Sequence, residues 1–102
     1  MNSQPTRPVR VLIVDDDPIV CAHLATILGV DPHISVVDRA HDGRTALDAV
    51  RQHEPDLVLM DLRMPVLDGI DATQEITALP SPPVVVALTT FDADEYVLKA
   101  LN

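Results

Sequence analysis

Strands that alternate with helices along this chain predict an α/β fold, a parallel sheet covered by helices on both faces. Three observations lead there. The runs Val9–Val14 (VRVLIV), 57–60 (LVLM) and Val84–Leu88 (VVVAL) are β-branched and almost continuously apolar, as strands buried on both faces are. The pairs Asp17-Pro18, Asp42-Gly43 and Asp68-Gly69 punctuate the intervals between strands as helix starts. A length of 102 residues allows one domain.

Taken in order, residues 1–8 are polar and proline-punctuated and read as a flexible tail. The first strand, Val9–Val14, runs into three aspartates. Asp17 is an N-cap acceptor and Pro18 suits the first helical position. Val20, Leu24, Ile27 and Leu28 are expected along the inward face of that helix, and Gly29 is expected to stop it. A short second strand, 34–37, follows the Asp31-Pro32 turn. The second helix starts at Asp42-Gly43, turns Ala46, Ala49 and Val50 inward, and is broken by Pro55. The strand 57–60 then places Asp61 at its carboxyl end. The third helix begins at Asp68-Gly69 with Ile70, Ile76 and Leu79 inward, and Pro80, Pro82 and Pro83 form a rigid connector to Val84–Leu88. Asp92 and Glu95 have the spacing of a capping box for a fourth helix reaching Asn102.

Composition narrows the function classes. Hydrophobic residues make up 47% of the chain but aromatics only 2%, so the core must be aliphatic. The formal net charge of −9 repels nucleic-acid phosphates and anionic lipid, and the domain is expected to bind neither nucleic acid nor membrane. The single cysteine, Cys21, reads as a small buried side chain and fits a reducing, cytoplasmic setting. His23, His33, His41 and His53 show no metal-ligand spacing, and Arg39, Arg44 and Arg51 read as solvated charges. There is no glycine-rich phosphate loop and no spacing that argues for a nucleophilic triad.

In doubly wound sheets ligands bind beyond the carboxyl ends of the strands. Asp15, Asp16 and Asp17 follow the first strand, Asp61 the third, and Thr89 the fourth. Two carboxylates about 5 Å apart repel by roughly 3 kcal/mol at an effective dielectric near 20. A hard divalent cation with oxygen ligands offsets such a repulsion, and Mg²⁺ is the natural candidate. A carboxylate beside it can attack phosphorus, so the arrangement points to phosphoryl transfer onto Asp61, with Thr89 near a phosphoryl oxygen. Asp17 reads as a helix cap only.

The segments VLIVDDDPIV (11–20), LVLMDLRMPVLDGI (57–70) and VVVALTTFDADEYVLKAL (84–101) resemble the receiver domains of two-component response regulators, over nearly the whole chain. The last segment is most similar to the LuxR-type subfamily, whose receivers usually precede a DNA-binding domain. The resemblance implies a flavodoxin-like doubly wound sheet of order 2-1-3-4 within 9–102. It implies that Asp61 is the phosphoacceptor, that Asp16 ligates Mg²⁺ directly and Asp15 largely through water, and that the Arg63 backbone carbonyl completes the metal site. Met64-Pro65 and Asp68-Gly69 match the loop that shapes the site, and Thr89 matches the switch hydroxyl. The implied partner is a sensor histidine kinase, and the implied role is a phosphorylated signalling domain rather than a turnover enzyme.

The family's fifth strand, with its essential lysine and switch aromatic, and its fifth helix have no counterpart here. The only lysine, Lys99, falls in the expected fourth helix, and no catalytic role is carried to it. The expectation is therefore a receiver incomplete at its C-terminus, a piece of a longer regulator. Its fourth strand or fourth helix is then open to homodimerisation. Two rival functions stand beside this one. The first is a haloacid-dehalogenase-like phosphatase, for which Asp15 and Asp17 have the right spacing. The second is a receiver-like interaction module that is never phosphorylated. Phe91 and Tyr96 read either as packing residues or as part of a partner surface on the fourth helix.

Overall fold

The structure, a computed structural model, describes residues 7–62 and 69–88. Its elements are β1 (Val9–Val14), α1 (Pro18–Gly29), β2 (Ile34–Ala40), α2 (Gly43–His53), β3 (Leu57–Asp61), α3 (Gly69–Thr77) and β4 (Val84–Leu88). The strands form one parallel sheet, as the alternation of elements predicts, in the order β2-β1-β3-β4 that the family resemblance implies. The expected fourth helix, with Phe91, Asp92, Glu95, Tyr96 and Lys99, lies outside the described residues.

Alternation along β1 builds the two faces. Leu12 and Val14 turn to one side with Val58 and Met60, where Ala46, Ala49 and Val50 of α2 and Ala72 and Ile76 of α3 cover them. Val11 and Ile13 turn to the other side, against Cys21, Leu24, Ala25 and Leu28 of α1. Burying apolar side chains on both faces of one strand is what a near-continuous apolar run permits. The central strands are accordingly driest: Leu12, Ile13, Val14, Val58 and Met60 have no exposed surface.

The helix starts follow their sequence signals. Asp17 Oδ1 accepts the Ile19 N–H at 2.9 Å and Pro18 opens α1. Asp42 Oδ1 accepts the Thr45 N–H at 2.8 Å, and the Thr45 hydroxyl accepts the Asp42 N–H at 3.3 Å, a reciprocal capping box. At its other end α2 closes on Glu54, a left-handed non-glycine residue with φ 47°. The Glu54 carbonyl there accepts a hydrogen bond from the Arg10 guanidinium at 3.3 Å. His53 Nε2 lies 3.0 Å from Asp38 Oδ2, tying the same helix end to β2. Arg7 pairs with Asp56 at 3.0 Å, and Asp56 also accepts the Arg10 N–H at 2.8 Å.

Three local expectations need correction. The inward stripe of α1 is Cys21, Leu24, Ala25 and Leu28, while Ile27 is 66% exposed. A helix with no charged residue carries apolar side chains all round, so periodicity alone does not fix which face turns inward. α1 does end at Gly29 as expected, but not through a left-handed glycine: Gly29 has no positive φ, and the cap is Val30 in right-handed geometry. β2 runs three residues further than 34–37, to Ala40, because its polar end still pairs with β1. A bulge at Val37 shifts the register, so Leu12 to Val14 stand opposite Asp38 to Ala40.

Candidate functional site

β1 lies between β2 and β3, so the chain reverses its winding direction between β1 and β3. The crevice of a doubly wound sheet opens at that point. Val14 pairs with Met60 across the two strands, so the next residues, Asp15 and Asp61, emerge side by side at their carboxyl ends. Asp15 is 4% exposed and Asp61 3%, whereas Asp16 faces solvent. One carboxylate oxygen from each of Asp15, Asp16 and Asp61 lies within 4.8 Å of the other two.

Each carboxylate is held from the backbone outward. The Asp15 N–H donates to the Ala40 carbonyl at 3.0 Å, and its Oδ1 accepts the Asp17 N–H at 2.9 Å. The Asp15 carbonyl accepts from His41 Nδ1 at 3.1 Å and from the Cys21 thiol at 3.5 Å. Asp61 is the last residue of β3, and Gly69 packs directly on its backbone. A Cβ at position 69 would collide with the Asp61 carbonyl and with the Leu62 Cα. Only glycine lets the first turn of α3 approach the end of β3 so closely.

Burial raises the Asp15 carboxyl above the ordinary carboxylate range; the Asp17 N–H acts against it, and the neighbouring Asp16 charge adds to the rise. Two buried carboxylates and a third beside them are hard oxygen donors, the chemistry that suits Mg²⁺ rather than a soft metal. Asp17 does not join them: its side chain caps α1. That assignment removes the Asp15–Asp17 pair from which the phosphatase reading began. Arg63, Met64, Pro65, Asp68 and Thr89 lie outside the described residues.

The model of the response regulator receiver domain family matches residues 11–102. The chain belongs to that family. Among curated proteins, this receiver domain is 43% identical over 94 residues to a protein-glutamate methylesterase/protein-glutamine glutaminase of Nitrosospira multiformis, covering 83% of this chain and 26% of that one. The chain thus spans about a quarter of the length of the first such relatives. Among solved structures it is similar to the receiver domain of a putative response regulator, NarL, from Mycobacterium tuberculosis. That likeness has a TM-score of 0.83 at 31% identity, over 94% of this chain and 77% of that one. A LuxR-family response regulator from Aurantimonas is similar at TM-score 0.81 and 32% identity, over 92% and 67%. So is a CheX–CheY–BeF3–Mg²⁺ complex from Borrelia burgdorferi, at TM-score 0.81 and 27% identity, over 99% and 76%.

Within the receiver domain, the three aspartates named from the sequence do come together. His41 and Cys21 escaped sequence reasoning, because their contact is with a main-chain carbonyl, which leaves no residue-type pattern. Among the described residues no helix is long and apolar enough to cross a membrane.

Proposed function

We propose that this chain is a phosphoacceptor receiver domain in which Asp61 takes a phosphoryl group from the phosphohistidine of a sensor histidine kinase. The observation that carries this reading is the meeting of two buried carboxylates, Asp15 and Asp61, with Asp16 beside them at the ends of adjacent strands. Gathering three carboxylates carries an electrostatic cost that a bound cation would offset, and such clusters mark functional sites.

Asp15, Asp16 and Asp61, with the Arg63 main-chain carbonyl, would hold Mg²⁺. When bound, the ion offsets carboxylate repulsion and stabilises negative charge on the phosphoryl oxygens. The BeF3 and Mg²⁺ in the related CheY complex support this choice of ion. The Asp61 carboxylate attacks phosphorus; its O–P bond forms as the kinase N–P bond breaks, and the imidazole leaves and recovers a proton from solvent. A carboxylate nucleophile carries no proton to remove, so this step calls for no general base. Thr89 follows β4 in sequence and is the hydroxyl assigned to a phosphoryl oxygen and to the switch.

The output is read from the relatives alone. The LuxR-family likeness favours a transcriptional regulator, and the methylesterase relatives favour a methylesterase under receiver control. The setting we assign is cytoplasmic, where the kinase's phosphohistidine faces. A second copy would meet this one along β4, where Val84 and Val86 are 63% and 41% exposed, or through the fourth helix. The rival reading, an interaction module that is never phosphorylated, separates in one experiment. Incubated with acetyl phosphate and Mg²⁺, the protein should gain one phosphoryl group by intact mass. Asp61→Asn should gain none, and Asp16→Ala should lose the Mg²⁺ dependence. Labelling of Asp61→Asn at the wild-type rate would overturn the assignment.

A further inference from the structure

The backbone of Asp15 is gripped by two consecutive residues, Ala40 at the end of β2 and His41 in the β2–α2 connection. Ala40 accepts its N–H at 3.0 Å, and His41 Nδ1 meets its carbonyl at 3.1 Å. The Cys21 thiol, fully buried on α1, reaches the same carbonyl at 3.5 Å and stands 3.8 Å from His41 Nδ1. A carbonyl oxygen only accepts, so His41 Nδ1 must carry a proton in this arrangement. The placement of His41 is itself fixed, because the next residue, Asp42, is locked into the α2 capping box. Two elements thus converge on one carbonyl just past the end of β1: α1 through Cys21 and the β2–α2 connection through His41. Cys21 also belongs to the core under α1, whereas His41 is exposed and its contact contributes nothing to core burial.

We propose that His41 and Cys21 are positioning residues for phosphoryl transfer: by clamping the Asp15 main-chain carbonyl they fix the direction in which Asp15 and Asp16 present their carboxylates to Asp61. The inference rests on the reading of Asp61 as phosphoacceptor and of Asp15 and Asp16 as cation ligands. The physical reason is that metal ligands and reacting atoms tolerate little displacement, and the groups behind the ligands set their direction. Without the imidazole donor, the carbonyl keeps only the weak thiol, and the Asp15–Asp16 peptide plane can tilt through the flanking φ and ψ angles.

The test compares wild type, His41→Leu and His41→Asn. Leucine keeps the bulk without a donor, and asparagine restores an N–H near the Nδ1 position. Three quantities are read: Mg²⁺ affinity by calorimetry, the Mg²⁺ dependence of acetyl-phosphate labelling, and the thermal midpoint in EDTA. His41→Leu should weaken Mg²⁺ binding about tenfold, with its EDTA midpoint unchanged, and His41→Asn should recover most of the loss. The ¹⁵N resonance of His41 Nδ1 in the metal-free protein should be that of a protonated ring nitrogen.

Unchanged Mg²⁺ affinity in His41→Leu would overturn the proposal. So would a loss that tracks a lowered EDTA midpoint and is not repaired by asparagine, since that marks a structural role. Wild-type protein that binds Mg²⁺ but is never labelled would defeat the phosphoacceptor reading alone, and the clamp would then stand or fall on the calorimetric affinities.

Discussion

Single atoms decide much of this site. Gly69 lies against the Asp61 carbonyl with no room for a methyl group. Gly69→Ala should therefore cost about 1–3 kcal/mol by overpacking, read as a lowered midpoint in urea unfolding. It should also slow labelling of Asp61, because relief of the clash moves either α3 or the end of β3. At Asp42 the capping amide of Thr45 holds the carboxyl below its ordinary range. A depressed folded-state value adds stability above the unfolded carboxylate value, and that stability is lost as pH falls through the folded one. Asp42→Ala should thus destabilise the protein by about 1 kcal/mol at neutral pH and by progressively less in acid, as urea midpoints across pH would record. At this scale the sequence announced the three aspartates, because carboxylates at strand ends are costly and visible. It did not announce Gly69 as a packing necessity or His41 as a clamp, since both act on main-chain atoms.

Among the elements, legibility followed contrast in polarity. α2 was readable to the residue: its Asp42 cap, its buried Ala46, Ala49 and Val50, and its end before Pro55 are all where the pattern put them. β1 and β4 were readable because nearly continuous apolar runs bounded by polar or proline residues mark strands of a parallel sheet. α1 was readable only in part: Leu24 and Leu28 face inward as placed, but a helix without charge offers no polar face to orient it, and Cys21 and Ala25 complete the stripe where Val20 and Ile27 were placed. β2 hid its last three residues, Asp38 to Ala40, behind a polar sequence that only pairing with β1 makes a strand. That extension matters for the site: it brings the Ala40 carbonyl to the Asp15 N–H and delivers His41 beside it.

Across the whole molecule, the winding order sets the chemistry. Placing β1 between β2 and β3 is what brings Asp15 and Asp61, 46 residues apart by number, to neighbouring strand ends. The chain carries a formal charge of −9, so any salt screens its self-repulsion, but only a cation that binds the cluster stabilises the folded state by mass action. Mg²⁺ should accordingly raise the thermal midpoint well beyond NaCl at equal ionic strength, and Asp16→Ala should remove the excess while keeping the salt effect. The central claim is tested most directly by locating the modification. Protein treated with acetyl phosphate and Mg²⁺ is trapped with borohydride, digested and sequenced by tandem mass spectrometry. Reduction at Asp61, dependent on Mg²⁺ and absent elsewhere, is the result expected. A trapped residue other than Asp61, or Asp15 in its place, would contradict the account.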